Sequence, residues 1–593
     1  MSDNQVYRYG MLRSPKTSIR LAQILPGTGR KGVAINLVDA FVTGPQRIQY
    51  DALSYTWGLS ERSKSISCNG LRLPVTPTLL EALQRFRHPD KIVTLWIDQI
   101  CIDQARIKER NQQVQMMGTI FKSARKVVVW LGGDYDDSQA GMTLARQLLG
   151  LAESALCDTD AAAVPGLPKR GDRKWKALAA VLRRPWFWRT WIVQEVVLNP
   201  NVELVLGRNT LTWRELETVV EVLEGPLEDI YELDQAVSAA ELPFSRINRI
   251  RRRHKEMVVP GHGLMSEHDP ELLDLLLMSR SLGATDPRDK LYALLGLSKH
   301  EINPDYERSA EHVFVEFATH QVGAVTKAFA TASAAGAQRP SSQAIEVQRA
   351  FMMFACAGRQ NQQLHLPSWV PDWTVDLQSR PLIFGLGLDE RFCAGGTELG
   401  TFDWDFDIGL QLSGVLLDTV QAVGSVKLDF SATAGPYELI AEWWQEAQQI
   451  ALGRIARSPG STAYTDAFEA MRRRLKLCRH GYYLGEPTRK RRRSLLDEDD
   501  FDEAAAHSAS QTLTLGPTRG RVMFASTVGY LGLAPRGTLQ GDVIFVVRGA
   551  AVPYIMRPQG RYFELIGEAY CQGVMGGEAL DMAGLMAQDI VIR

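Results

Sequence analysis

The sequence predicts a multidomain α+β protein that begins with a flavodoxin-like α/β domain built on a parallel sheet. Its 593 residues exceed what one hydrophobic core accommodates. Apolar β-type segments alternate with amphipathic helical segments in the first third, and short β-type segments separated by Gly and Pro fill the last part. We therefore expect an α/β domain over residues 1–210 with its core at 47–200, a mainly helical region over 211–365 and a β-rich region over 366–593.

Three apolar segments near the N-terminus each end in polar residues. They are YDALSYTWG at residues 50–58, LWIDQICIDQ at 95–104 and VVVWLG at 127–132. Buried parallel strands have this composition, and open α/β sheets bind ligands at the carboxyl ends of such strands. The ends of these three segments are therefore where we expect the functional residues.

Helices are predicted between and after these strands. Residues 76–86 begin with Thr and Pro, which favour a helix start, and both this segment and residues 105–124 carry an apolar stripe at helical spacing. Residues 141–151 predict a further helix, 184–197 an aromatic-rich turn into a helix, and 202–207 another strand. Parallel strands joined by right-handed helical crossovers form a doubly wound sheet.

The rest of the chain gives weaker local signals. Residues 324–346 are rich in Ala and Ser, which predicts a mobile loop, and residues 436–478 predict a helical insert in the β-rich region. Residues 486–510 combine a basic run with an acidic one, which predicts a disordered charged linker. The C-terminal strand segments, which predict a small barrel or curled sheet, are residues 543–547, 554–556 and 562–566.

Composition limits the classes of partner. With 67 Lys+Arg against 68 Asp+Glu, the chain is nearly neutral, so its net charge does not attract nucleic acid or an anionic membrane. No segment approaches the ~18 apolar residues of a membrane span, and the N-terminus does not resemble a signal peptide, so we expect a cytoplasmic protein. The basic run at 489–493 is an alternative nuclear-localisation signal. Seven separate cysteines without a C-x-x-C pair predict reduced thiols and no metal centre.

Five ordered blocks resemble the heterokaryon-incompatibility (HET) domain of filamentous fungi. They are the three strand segments together with residues 109–114 and 184–195, and the resemblance spans roughly 47–200. Residues 286–296 and 567–578 resemble segments that often follow this domain in fungal proteins. The resemblance implies nonself recognition between fungal individuals, with cell death triggered by self-association of the HET domain into a homo-oligomer. It also implies an incompatibility partner protein, which the sequence does not identify.

The HET domain is also described as distantly similar to TIR domains. TIR domains are flavodoxin-like, signal by self-association, and in several branches cleave NAD between nicotinamide and ribose. Their essential carboxylate is a Glu in a helix that reads roughly Trp-Cys-x-x-Glu-Leu, and here residues 191–196 read WIVQEV. The resemblance therefore implies NAD as a possible substrate, no bound cofactor, and Glu195 as the candidate catalytic residue.

Two interpretations of Glu195 follow from the residues around it. As a catalytic group, its carboxylate would bind ribose hydroxyls and stabilise positive charge that develops at the anomeric carbon, as in glycoside cleavage. As a structural group, it would pair with Arg184 or Arg189. Both interpretations remain open on the sequence.

The polar residues at the strand ends are candidate substrate contacts. Trp57 could stack on a base or fill the core, and Asp98 could hold a ribose hydroxyl or cap the next segment. Glu109 and Gln113 begin the second helix, where Gln113 could face the ligand crevice or share a solvated face with Glu109. The full set of candidate substrate-binding residues is Ser54, Trp57, Gly58, Asp98, Asp103, Gln113 and Trp191.

Overall fold

The computed structural model forms two compact units, Met1–Ser309 and Ala310–Arg593. This division falls at neither residue 210 nor residue 365, the boundaries that the sequence led us to expect. The structure describes the whole chain except residues 1–4, 15, 29–31, 46, 59–60, 136, 154–166, 170, 225–234, 259–271, 299–301, 336–350, 378–380, 383–391, 397–399, 426–441, 443–444, 447–448, 451–519 and 583. The basic run, the charged linker and most of the expected helical insert therefore lie outside the described residues.

The first unit contains a mixed sheet of nine strands within its described residues. The strands are β1 (Ser18–Ile24), β2 (Ala34–Phe41), β3 (Asp51–Tyr55), β4 (Lys64–Cys68), β5 (Leu71–Val75), β6 (Val93–Trp96), β7 (Val127–Trp130), β8 (Val202–Leu206) and β9 (Asn209–Thr212). Their order across the sheet is β5-β4-β2-β1-β6-β3-β7-β8-β9.

The four central strands, β6, β3, β7 and β8, are parallel. Numbered along the chain, these four lie in the order second, first, third, fourth, which is the flavodoxin-like order of a doubly wound sheet. Beyond them the sheet is mixed, because it contains antiparallel pairs as well as the parallel pair β2–β4. Strand β1 runs antiparallel to β6 and to β2, and β9 runs antiparallel to β8. The antiparallel pair β1–β2 had not been predicted.

The described helices of the first unit are α1 (Pro77–Phe86), α2 (Asp98–Cys101), α3 (Ile107–Ser123), α4 (Ser138–Glu153), α5 (Arg173–Leu182), α6 (Ile192–Val197), α7 (Trp213–Glu224), α8 (Gln235–Val258), α9 (Leu272–Ser279) and α10 (Asp289–Tyr292). Short 3-10 helices cover Pro185–Trp188 and Leu295–Leu297. The predicted cap of α1 is confirmed, because the Thr76 hydroxyl accepts a hydrogen bond from the Leu79 amide at 3.3 Å.

A buried ion pair joins β1 to α3. The Arg20 guanidinium donates to both carboxylate oxygens of Glu109, at 2.5 and 3.1 Å. It also donates to the carbonyl oxygens of Cys101 and Gly10, while Glu109 accepts from the Asp103 amide at 2.9 Å. Our expectation that Glu109 lies on a solvated helix face is wrong, since Glu109 is only 4% exposed. The pair fixes the loop that follows β6.

The second unit begins with helix α11 (Ala310–Ala335), followed by a β-rich region. Helix α11 corrects part of one prediction, because residues 324–335 were expected to belong to a loop; residues 336–346 lie outside the described part. The strands are β10 (Phe402–Asp405), β11 (Gly409–Val423), β12 (Arg521–Ser526), β13 (Leu531–Pro535), β14 (Val543–Val547), β15 (Tyr554–Gln559), β16 (Tyr562–Glu568), β17 (Tyr570–Cys571) and β18 (Ala587–Ile592).

Five of these strands close into a ring. Strand β11 pairs with β14 and with β18, and the ring continues from β14 through β15 and β16 back to β18. The far end of β11 pairs with β12, from which β13 and β17 extend the sheet. Apolar side chains from these strands form a buried core. The predicted small barrel or curled sheet agrees with this closed arrangement.

Within the described residues, no helix combines the length and apolar character that a membrane crossing requires. The same residues contain no group of three or more His, Cys, Asp or Glu side chains arranged to hold a metal ion. Five cysteines are described as free thiols, and all but Cys393 are buried.

Replacing Glu109 by Ala should destabilise the first unit strongly. The Arg20 guanidinium would stay buried without its carboxylate, and breaking a buried ion pair typically costs about 3–5 kcal/mol. Urea denaturation of the full chain measures the loss in the free energy of unfolding. The control is Glu221→Ala, which removes the exposed partner of Arg252 and should cost no more than about 1 kcal/mol. Equal losses in the two variants would contradict this account.

Candidate functional site

The candidate site lies at the carboxyl ends of β3 and β6. Strand β3 ends with Ser54 and Tyr55, and Asp98 follows β6 as the first residue of α2. The 3-10 helix Pro185–Trp188 and helix α6 then bring three further side chains to this edge, those of Trp186, Arg189 and Glu195. Because the carboxyl ends of neighbouring parallel strands meet at one edge, the crossovers bring together residues from separate parts of the chain.

Two hydrogen bonds in series fix the Glu195 carboxylate. The Ser54 hydroxyl donates to Oε2 of Glu195. The Trp186 indole N–H donates to the oxygen of the same hydroxyl at 2.6 Å. Glu195 is only 4% exposed, and Trp186 is buried as well. The serine can donate in one direction only, so the Trp186 bond directs the Ser54 proton towards Glu195.

Burial raises the pKa of Glu195 to about 7. The neighbouring Arg189 guanidinium and the Ser54 hydrogen bond oppose this rise in pKa, whereas the charge of Asp98 adds to it. A carboxyl group with this pKa exchanges its proton near neutral pH, which is the property that general acid–base groups need. Strongly shifted carboxyl groups also cluster at functional sites.

Asp98 is the second carboxylate of the site. Its Oδ2 accepts from the Trp57 indole N–H at 2.7 Å, and its Oδ1 accepts from the Gln99 amide at 2.7 Å. Burial raises the pKa of Asp98, while Arg189 and these hydrogen bonds act against the rise. Asp98 is itself the first residue of α2, whose cap position is Ile97, so it does not take the capping role considered for it. Its role as a substrate contact beside Glu195 stays a prediction.

Arg189 is the shared cation of the two carboxylates. Its guanidinium donates to the carbonyl oxygen of Tyr55, and its charge favours the ionised forms of both Asp98 and Glu195. From the sequence alone, Arg189 is expected only as a structural partner of Glu195. Its place just before α6 was the available signal, but only the fold shows that it also neighbours Asp98.

This arrangement of groups can perform two kinds of chemistry. Glu195 can accept or release a proton near neutral pH, or stabilise a positive charge while ionised. Asp98 and Arg189 supply an acceptor and a donor to a polar ligand at the same strand ends.

Other candidate residues take up different positions. Gly58 has φ +68°, and a β-carbon there would lie 2.6 Å from the Thr78 hydroxyl oxygen, so helix α1 approaches the main chain closely at this glycine. Asp103 belongs to the Arg20–Glu109 group, and its carboxylate accepts from the Ala105 amide at 3.3 Å. Gln113 is buried and donates to the Ser18 carbonyl oxygen at 3.1 Å. Their roles in substrate binding stay predictions.

Trp191 contacts the segment at residues 286–296, for which the sequence predicts no chemistry. Its indole N–H donates to Oδ2 of Asp289 at 3.0 Å, and the hydroxyl of Tyr306 donates to Oδ1 at 2.5 Å. Burial raises the pKa of Asp289 to about 6. The signal available in the sequence was the motif DPRD at residues 286–289, which had been noted only as resembling segments that follow the HET domain.

Comparisons with known proteins match both units. Residues 50–195 match the family model described as heterokaryon incompatibility protein (HET), and residues 459–585 match that of the Het-6 beta-barrel domain. The chain is also 25% identical to heterokaryon incompatibility protein 6, OR allele, of Neurospora crassa, over 96% of this chain and 96% of the relative. No solved structure matches the chain, so the similarity to TIR domains stays a prediction.

Replacing Glu195 by Gln should change how stability depends on pH. The folded-state pKa of about 7 lies above the ordinary value of 4.5, so the folded protein binds this proton more tightly than the unfolded chain between those values. The stability that this proton contributes to wild type is therefore fully present at low pH, and it is lost as the pH rises through this window. Between the two ends of this pH window, the free energy of unfolding of the Gln variant should rise by about 3 kcal/mol relative to that of wild type.

Urea denaturation at a series of pH values measures this difference in the free energy of unfolding. Ser54→Ala is the matched control, because it disturbs the same site but keeps the carboxyl group and therefore the pH-dependent loss. Parallel pH profiles for wild type and Glu195→Gln would show that Glu195 does not titrate in this range.

Proposed function

We propose that this chain, whose residues 50–195 match the HET family model and whose residues 459–585 match that of the Het-6 beta-barrel domain, acts in fungal heterokaryon incompatibility as a nonself-recognition effector. In this proposal the HET domain triggers regulated cell death by self-association, after an incompatibility partner protein is recognised. The observation that carries the proposal is the similarity to heterokaryon incompatibility protein 6, OR allele, which extends over 96% of both chains. The similarity therefore includes the barrel region as well as the HET segment.

The charge of the chain supports self-association as the means of signalling. The formal net charge is −1 at pH 7, so copies of the chain meet little long-range repulsion. Association through the HET domain would then depend on short-range contacts and on concentration. The proposal places this assembly in the cytoplasm, with the second unit sensing the partner or restraining the HET domain.

Overproduction of the full chain in a filamentous fungus should reduce viability, and the loss of viability should increase more steeply than the amount of protein. Self-association depends on concentration by mass action, so a small rise in concentration produces a larger rise in assembled protein. Viability counts, set against the amount of protein and its sedimentation in extracts, measure the effect. The control is Glu109→Ala at matched protein level, which weakens the fold of the first unit and should spare the cells. Full viability while the chain sediments as an assembly would contradict the proposal.

An NAD glycohydrolase is the alternative function. The observation that favours it is the buried Glu195 carboxyl, held by Ser54 beside Arg189 and Asp98 at the strand ends. In this reaction the bond between nicotinamide and the ribose anomeric carbon breaks, and water adds to that carbon. The products are nicotinamide, ADP-ribose and one proton. Ionised Glu195 would stabilise the positive charge that develops at the anomeric carbon.

Purified full chain at high concentration should release nicotinamide from NAD if the alternative holds, and Glu195→Gln should abolish the release. Chromatographic measurement of nicotinamide and ADP-ribose follows the reaction. Glu203→Gln is the control, because Glu203 of β8 pairs with Lys126 and lies outside the site. If assembled wild-type protein releases no nicotinamide, the enzyme alternative is wrong and self-association remains as the proposed mechanism.

A further inference from the structure

The described residues 279–298 and 302–308, which we call the clamp, contact the elements that carry the candidate site. The clamp belongs to the first unit but lies beyond residues 50–195, which match the HET family model. It contains α10 and the 3-10 helix Leu295–Leu297. Its contacts are made to helix α3, to helix α6 and to the turn that precedes α6.

The turn before α6 is held by main-chain bonds to the clamp. The Thr190 amide donates to the Gly283 carbonyl oxygen at 2.9 Å, and the Gly283 amide donates to the Trp188 carbonyl oxygen at 2.5 Å. The Thr190 hydroxyl donates to the same Gly283 oxygen at 3.1 Å. Arg189 lies between these two anchored residues, so the clamp fixes the main chain from which its guanidinium reaches the site.

The Asp289 carboxylate forms the central side-chain contact of the clamp. It accepts one hydrogen bond from Trp191, the residue before α6, and one from Tyr306. The Tyr306 ring is covered in turn by the Arg110 guanidinium of α3, whose central carbon lies 3.9 Å from the ring centroid. Asp289 therefore connects the start of α6 to α3 through two aromatic side chains.

The clamp also packs closely against α3 and α6 at Gly296. A β-carbon on Gly296 would lie 2.5 Å from Oε1 of Gln194 and 2.8 Å from the α-carbon of Gly118. Gln194 immediately precedes Glu195 in α6. With only six residues, α6 has little stability of its own and depends on these tertiary contacts for its position.

We propose that the clamp completes the candidate site, and that Asp289 is a positioning residue which acts on Glu195 through Trp191. Loss of the Asp289 bond would release the start of α6, and Glu195 would then move relative to Ser54. The inference concerns the same site as the proposed function and rests on that function only for its biological consequence. It assigns the functional unit to the whole of Met1–Ser309, beyond the matched segment alone.

The test uses the full chain with Asp289→Asn, Trp191→Phe and the double substitution. Asn offers one acceptor oxygen where Asp offers two, and Phe removes the indole donor. Wild type and each variant are also made with Glu195→Gln added. The difference in the free energy of unfolding between each protein and its Glu195→Gln form is measured from about pH 4 to 9. Its dependence on pH gives the titration midpoint of Glu195.

We expect the midpoint to fall by about half a pH unit or more in both single variants, because a loosened α6 admits water and relieves the burial that raises this pKa. The double variant should shift the midpoint no further than Trp191→Phe alone, since Asp289 acts on α6 through the contact that this substitution removes. Hydrogen exchange of the α6 amides should also become at least about tenfold faster.

Asp51→Asn is the matched control. Asp51 is a buried aspartate that pairs with Arg125 at 2.7 Å, so its loss should lower stability without touching α6. If the clamp only stabilises the unit, Asp289→Asn should behave like this control. Its stability would fall, while the titration midpoint of Glu195 and the hydrogen exchange of the α6 amides would stay unchanged. That outcome would overturn the inference. Neither readout requires cell death or NAD cleavage, so failure here is distinct from failure of the proposed function.

Discussion

The burial of the Glu195 carboxylate is the constraint around which the candidate site is organised. A carboxylate removed from water destabilises the fold unless hydrogen bonds and a nearby cation compensate it. Here the compensation comes from Ser54 and Arg189, and Trp186 orients the serine. It is incomplete, because the pKa still rises to about 7. A residue kept at such a cost in stability is more readily explained by a function than by packing.

The sheet explains why these groups meet. In the order β6-β3-β7-β8, β3 and β6 are neighbours, and their carboxyl ends place Ser54 beside the start of α2, where Asp98 lies. The loop after β6 is fixed independently by the Arg20–Glu109 pair, which also binds the carbonyl oxygen of Cys101. The antiparallel strand β1 therefore also supports the site, because its Arg20 binds the last residue of α2, the helix that begins with Asp98.

The two proposed functions make different demands on the same residues. An effector that works by assembly needs a stable HET fold and an interface, and Glu195 could then be replaced without loss. An NAD glycohydrolase needs the carboxylate itself, its ionised form and access for the substrate. The clamp bears on both functions, because it fixes α6 and belongs to the same compact unit as the HET segment.

The sequence by itself determined the local elements. Periodicity and capping residues predicted α1, α3 and the four parallel strands, and the order of motifs identified the HET resemblance and Glu195. Periodicity reports which face of an element is buried, but not which element covers it. Glu109 was therefore assigned to solvent, although Arg20 from β1 buries it. The Ser54–Glu195 and Trp191–Asp289 bonds join residues 141 and 98 positions apart, so only the tertiary structure could decide them.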